Sequence, residues 1–232
     1  MITTLTATLT AATSAPTVFE GTANTVAVVV LLIEFAMLRA ALLRSQVRLY
    51  AAQSLVVSVL AAVVASGRDI PELYILAVVS FVLKVVVVPW VMLRLLQRTG
   101  AEIAGSGALG VASEVVVALV VAAFGFFAVG ALGIKSNVLP TAALSLSMAV
   151  VLVAFVLMIL RRDVVSQAIG FFSLENGVSM ASLVVAAGLP LILEVAFLFD
   201  LLVAVVVFGV LIRLHHSRTS SLSTSTIDRL RG

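Results

Sequence analysis

The sequence predicts an all-α, polytopic integral membrane protein with seven transmembrane helices, the N-terminus outside and the C-terminus inside. Three observations lead there: the composition, a series of seven apolar runs, and basic residues confined to alternate connections. Of 232 residues, 62% are apolar and 11% charged, against about 45–50% and about 25% in an average soluble domain. So few charges cannot clothe a globule of 24.2 kDa. The apolar side chains must face something other than water, and lipid is the medium that accepts them. Composition thus argues against both a water-soluble single domain and intrinsic disorder.

A helix needs about 20 apolar residues to cross the hydrocarbon core. Such runs are read at 22–43, 49–66, 72–96, 107–132, 138–160, 164–187 and 190–213. The first follows a threonine-rich stretch, 1–21, which lacks a basic start and does not read as a signal peptide; a polar outer tail is expected. The second and shortest follows Arg44-Ser-Gln-Val-Arg48, and the third follows Ser66-Gly67-Arg68-Asp69-Ile70-Pro71. Within the third, Pro89 cannot donate to the carbonyl of Val85, which favours a kink. The fourth begins beyond the glycine-rich 100–107 and the fifth beyond Gly133-Ile-Lys135-Ser136-Asn137. Arg161-Arg162-Asp163 precedes the sixth, and Gly188-Leu-Pro190 the seventh. Tyr50, Tyr74 and Trp90 fall near span ends, where an aromatic belt is ordinary. The chain then divides into a polar tail (1–21), a four-helix part (22–137), a three-helix part (138–213) and a basic tail (214–232).

Lysine and arginine placement sets the orientation. With the N-terminus outside, the inside connections hold Arg39, Arg44, Arg48, Arg94, Arg98, Arg161 and Arg162, and the tail adds Arg213, Arg218, Arg229 and Arg231. The outside connections hold only Arg68 and Lys135. This is the bias of the positive-inside rule, and an even number of spans would break it. The net charge of +3 and pI near 10.0 are then a topology signal, and no nucleic-acid partner is expected. With no cysteine, and its only histidines at His215 and His216 in the tail, the chain offers no disulfide, no iron–sulfur cluster, no Cys-ligated zinc and no buried bis-histidine haem. Neither a P-loop nor a nucleophile elbow is present. No cofactor, metal site or catalytic residue is expected.

Six ionisable residues remain within the spans: Glu34, Lys84, Glu114, Glu175, Glu194 and Asp200. A charge at the bilayer centre costs roughly 2.5–3.5 kcal/mol on insertion scales, so such groups face protein or water and often mark ion or proton pathways. The plainer alternative is an interhelical fastener. Lys84, Glu175 and Asp200 lie near the middle of their spans and form the principal candidate pathway. Glu34 and Glu114 lie off-centre, and Glu194 near an outer end, where snorkelling makes it cheap. Local polarity supports a wet face. Gln167, Ser179 and Ser182 share the helix side of Glu175, with Asn176-Gly177 adjoining, while Tyr50, Ser54 and Ser58 form a stripe with Gln53 beside it. Burial drives a carboxyl toward its neutral form and a nearby ammonium draws it back, so such a set can exchange protons. A sodium site needs several converging oxygens, and no such cage is evident.

The segments Arg48-Leu-Tyr50-Ala-Ala-Gln53-Ser54-Leu, Phe81-Val-Leu-Lys84-Val-Val-Val-Val-Pro89 and Gly170-Phe-Phe-Ser-Leu-Glu175-Asn176-Gly177 resemble the hydrogenase-4 component E family. Its members are membrane subunits of formate-hydrogenlyase-type group 4 hydrogenase complexes. The resemblance runs from about residue 45 to the C-terminus, with Glu194 and Asp200 in the matching last span. Residues 133–232 are also similar to the K-type small membrane subunit of respiratory complex I and the C-type subunit of Mrp antiporters. There Ser173-Leu-Glu175 matches an intramembrane glutamate of the second span, and Asp200 a further one in the third, one methylene shorter and after a shorter outer connection. The closing Ile227-Asp-Arg-Leu-Arg-Gly232 is similar as well. Glu34 and Glu114 fall outside these motifs. The resemblance implies a non-redox subunit of a complex-I-like membrane arm, beside antiporter-like proton-channel subunits, with catalytic metals in a peripheral hydrogenase-type module. Two other readings stand beside it: a structural adaptor that moves no ions, and an ion-transporting protein of the Mrp or free-standing kind. Against free-standing transport, no inverted repeat is evident.

Overall fold

The structure, a computed structural model, describes residues 18–68, 71–99, 103–104, 108–133, 141–185, 199–200, 202–212 and 214. Among them every regular element is helical, apart from an isolated antiparallel bridge between Leu42 and Ile103. In chain order these are α1 (Val18–Arg39), α2 (Leu43–Arg68), α3 (Pro71–Ser80), the π-helical Phe81–Val87, α4 (Val88–Thr99), α5 (Val111–Ala131), α6 (Thr141–Leu160) and α7 (Val164–Val185). A shorter apolar helix, α8 (Leu202–Ile212), follows. α3, the π segment and α4 join into one rod. Six helical rods are long and apolar enough to cross a membrane: Gly21–Arg39, Leu43–Ser66, Leu73–Arg98, Ala112–Ala131, Thr141–Leu160 and Val164–Val185. The expected seventh run, 190–213, lies partly outside the described residues, and its described part is the short α8.

Two boundaries differ from the hydropathy reading, for physical reasons. The first helix ends at Arg39 rather than 43, because the chain turns there: the amide of Ala40 bonds to Met37 O at 3.2 Å. The second begins at Leu43 rather than 49, with the amides of Ser45 and Gln46 both reaching Leu42 O, at 2.9 and 3.1 Å. Arg44 and Arg48 remain exposed on this first part of α2, while Gln46 turns inward. Apolar counting stops at those polar residues; the helix does not.

α1, α2, α7 and α6 pack into a closed four-helix ring, with the α3–π–α4 rod against α2 and α5 against α6. Helices surrounded by lipid gain little from apolar burial and associate through close packing of small residues. Gly170 and Gly177, two turns apart on α7, serve this. A Cβ at Gly170 would lie 3.2 Å from the Ala154 carbonyl oxygen, and one at Gly177 would lie 3.1 Å from the Val151 backbone nitrogen. Gly125 brings α5 similarly close to Ala149. Gly133, at φ +62°, closes the turn after α5 in the left-handed region that glycine tolerates.

Two apolar clusters fill the bundle. One, near the ends of α1, α4 and α6, holds Met37, Leu43, Leu96, Leu157, Val165 and Phe172. The other, in the opposite half, holds Ala27, Leu60, Val64, Leu73, Val150 and Met180. Between them, at mid-length, lies a layer of buried polar side chains that includes Glu34, Gln53, Ser54, Lys84, Ser173 and Asn176.

The connections tie one end of the bundle together. Ala104 N bonds to Ala41 O at 2.9 Å and Ala108 N to Leu160 O at 2.8 Å. Arg161, just past α6, donates from Nη2 to Leu38 O at the end of α1 and lies 4.0 Å from Glu114 in the first turn of α5. Arg39, Arg44, Arg48, Arg94, Arg98, Arg161 and Arg162 all belong to this end by their places on the helices. Arg68 closes α2 at the other end.

Candidate functional site

The polar layer contains two centres, and α7 carries side chains into both. The first is built on Lys84. Its side chain is 2% exposed, an ammonium buried at mid-rod. Nζ donates to Ser179 Oγ at 3.0 Å and lies 3.8 Å from Glu175 Oε2. Ser179 stands one turn beyond Glu175 on α7, so a single helix face presents both partners. Asp200, before α8, is exposed yet near enough to Glu175 to interact electrostatically with it. Glu175 therefore feels both a buried cation and a second carboxylate.

The π-helical segment around the lysine follows from Pro89. An α-helix requires each amide to bond four residues back, and Pro89 has no N–H to give. Here the amide of Val88 reaches Leu83 O, five residues back. If this register ran on by one residue, Lys84 O would be the acceptor opposite Pro89. The α-helical spacing instead assigns the free carbonyl to Val85. Such π-bulges occur often at functional sites; this one carries the buried lysine.

The second centre joins α1, α2 and α7. Gln53 Nε2 donates to Glu34 Oε2 at 2.7 Å and to Val30 O at 3.5 Å. Ser173 Oγ bonds to Glu34 Oε2 and lies 2.8 Å from Gln53 Oε1. Asn176 Nδ2 donates to Gln53 Oε1 at 3.0 Å and to Ser54 Oγ at 2.8 Å. Glu34, Gln53, Ser54, Ser173 and Asn176 are all fully buried. Glu34 Oε1 and Asn176 Oδ1 are left without partners.

The remaining candidates go elsewhere. Glu114 belongs to the Arg161 clasp at the bundle end. Gln167 donates to Arg161 O at 2.9 Å in the same region, and the Ser182 hydroxyl is buried without a partner. Glu194 lies outside the described residues. Trp90 and Tyr74 are exposed, as an aromatic belt requires, with Arg94 stacked 5.1 Å over the Trp90 ring. Tyr50 departs from that expectation. It is 1% exposed, packed 5.8 Å from the Phe172 ring and adjacent to Ser54. Its helix begins six residues earlier than the hydropathy reading places it, which moves Tyr50 from the span end to the interior.

Sequence reasoning gave no role to Gln46, Ser166 or Ser173. Ser166 Oγ donates to Gln46 Oε1 at 2.8 Å. The contact between Ser173 and Gln53 repeats that pair seven residues further along both helices. α2 and α7 both start at the clasped end and run parallel, so a shared seven-residue spacing keeps equivalent residues on the same seam. The recurrence of Gln at 46 and 53 and of Ser at 166 and 173 is the signal. Among the described residues no group of three or more His, Cys, Asp or Glu could hold a metal ion.

No family model matches this sequence, and no solved structure matches it. It is 43% identical over 79 residues to the uncharacterised protein Rv0085 of Mycobacterium tuberculosis (strain ATCC 25618 / H37Rv). The match spans 34% of this chain and 34% of that relative, about a third of each.

Proposed function

We propose that this chain is a multi-pass, non-redox membrane subunit of a hydrogenase-4-like, complex-I-related assembly, and that it contributes to proton translocation. In this reading it has seven spans, α8 belonging to the last, with its C-terminus cytoplasmic in a cell inner or plasma membrane. Its partners are antiporter-like membrane subunits and a peripheral hydrogenase-type module. Glu175 is the principal proton carrier, Lys84 the partner that sets its charge, and Asp200 its neighbour toward the bundle surface.

The observation that supports this best is the buried Lys84–Glu175 pair at 3.8 Å on a π-helical segment. At about 4 Å two unit charges attract by about 4 kcal/mol at an effective dielectric of about 20. Desolvating them costs several kcal/mol per ion. Summed over both ions, that cost exceeds the attraction, so the pair adds nothing as a fastener and a proton that neutralises it is readily taken up. The test is proton pumping by the reconstituted complex carrying Glu175→Gln. Loss of pumping with intact assembly is expected, and full pumping would sink the role.

The adaptor reading draws on a different observation, the Arg161 clasp that joins α1, α5 and α6 at one end. It requires that Lys84→Met damage assembly before transport, which native gels of the complex resolve.

A further inference from the structure

Proton counting in the second centre assigns a protonation state. Ser173 Oγ is within hydrogen-bond distance of both Glu34 Oε2 and Gln53 Oε1. A hydroxyl has one proton to donate, an amide oxygen has none, and an ionised carboxylate has none. With Gln53 oriented as described, its nitrogen faces Glu34 Oε2 and Val30 O, and its oxygen faces Asn176 Nδ2. Two oxygen–oxygen contacts then meet at Ser173, and its single proton serves only one of them. Turning the Gln53 amide over does not remove the shortage. Its oxygen would then face Glu34 Oε2 at the same 2.7 Å, again with no donor between. In either orientation one proton is missing from the neutral groups, and among the described residues the group that can supply it is the carboxyl of Glu34.

We infer that Glu34 is a second proton-binding site, loaded in the state seen here, its carboxyl O–H donating to Ser173 Oγ while the Ser173 hydroxyl donates to Gln53 Oε1. The surroundings suit a neutral acid. Glu34 is fully buried, and no ion pair reaches it among the described residues. The groups that α2 and α7 turn toward it, Gln53 and Ser173, are uncharged. The two centres are linked through α2 and α7. Asn176 adjoins Glu175 in the chain and bonds to Ser54, and Tyr50 lies beside Ser54 and within electrostatic range of Glu175.

Infrared spectroscopy of the full chain in lipid, in H2O and D2O, reads the proton directly. Glu34→Gln is expected to remove one carboxylic-acid C=O band that shifts on deuteration, leaving the carboxylate bands unchanged. Removal of a carboxylate band instead would overturn the assignment. Ser173→Ala keeps the carboxyl and covers the case in which Glu34→Gln does not fold. It should move the same acid band to the position of a more weakly bonded acid; an unmoved acid region would count against the assignment. Use of this proton in transport rests on the reading proposed above, but its presence does not. Glu175→Gln should leave the Glu34 band in place whether or not pumping is lost, so the two ideas fail separately.

Discussion

Lys84 has two neighbours on α7, and they do different work. Ser179 accepts a hydrogen bond at 3.0 Å, while Glu175 at 3.8 Å supplies charge. Removing one member of a buried pair strands the other, at a cost of about 3–5 kcal/mol, whereas replacing both by apolar groups is often neutral. Lys84→Met alone should therefore lower thermal stability by that order, and Lys84→Met with Glu175→Leu should restore most of it. If the pair carries protons, the double variant is stable and does not transport; a stable double variant with normal pumping would leave the pair without a role. The individual charges were legible in the sequence, because a lysine or glutamate inside an apolar run is costly wherever its helix packs. Their pairing was not. Span order does not say which helix faces which, and only the packed bundle sets Glu175, rather than Glu34 or Glu114, beside Lys84. Hydroxyls and amides such as Ser173 and Gln46 were harder still to read, since each alone is cheap in a membrane helix and serves ordinary packing equally well.

The third rod shows how one residue sets the behaviour of an element. Pro89 withholds an amide, the helix passes through Phe81–Val87 in π form, and Lys84 sits at its middle. Pro89→Ala returns that amide and favours an unbroken α-helix, in which each residue added or removed turns the face by about 100°. Lys84 should then lose its register with Ser179 while the helix itself gains stability, and, if the pair carries protons, pumping should fall as far as in Glu175→Gln. Unchanged pumping would mean that the lysine reaches its partners without the bulge. Elsewhere the elements depend on small residues. Gly177→Leu would drive a side chain into the Val151 backbone of α6 and should cost about 1–3 kcal/mol of stability by overpacking, read as a lowered melting temperature. A proline announces a helix irregularity in the sequence, yet whether it becomes a kink or a π turn depends on the neighbours that hold the rod, here α2 along its length. Hydropathy likewise placed the six long helices but cut α2 short at Arg48, since an apolar window ends where a helix meets water on one side only.

At the scale of the whole molecule, the distribution of charge makes a claim about the membrane that can be measured independently of any activity. Seven arginines, from Arg39 to Arg162, belong to one end of the six-rod bundle, and Arg68 to the other. Charge bias of this kind orients a chain with the basic end toward the cytoplasm. The same end is held by the Arg161 clasp and the Leu42–Ile103 bridge. The chain contains no cysteine, which makes single-cysteine labelling clean without prior substitution. Arg162→Cys and Ser45→Cys, both at the basic end, should react with a membrane-impermeant maleimide only after the cells are opened. Gly133→Cys, after α5 at the opposite end, should react in intact cells, although its left-handed backbone makes it a mildly strained site; Leu132→Cys, exposed beside it, avoids that strain. The reverse pattern would invert the orientation and place the clasped end outside. A cysteine at Leu214, beyond α8, decides the span count. Protection in intact cells puts α8 in a seventh crossing, while labelling there leaves six spans with both ends of the chain on the same side.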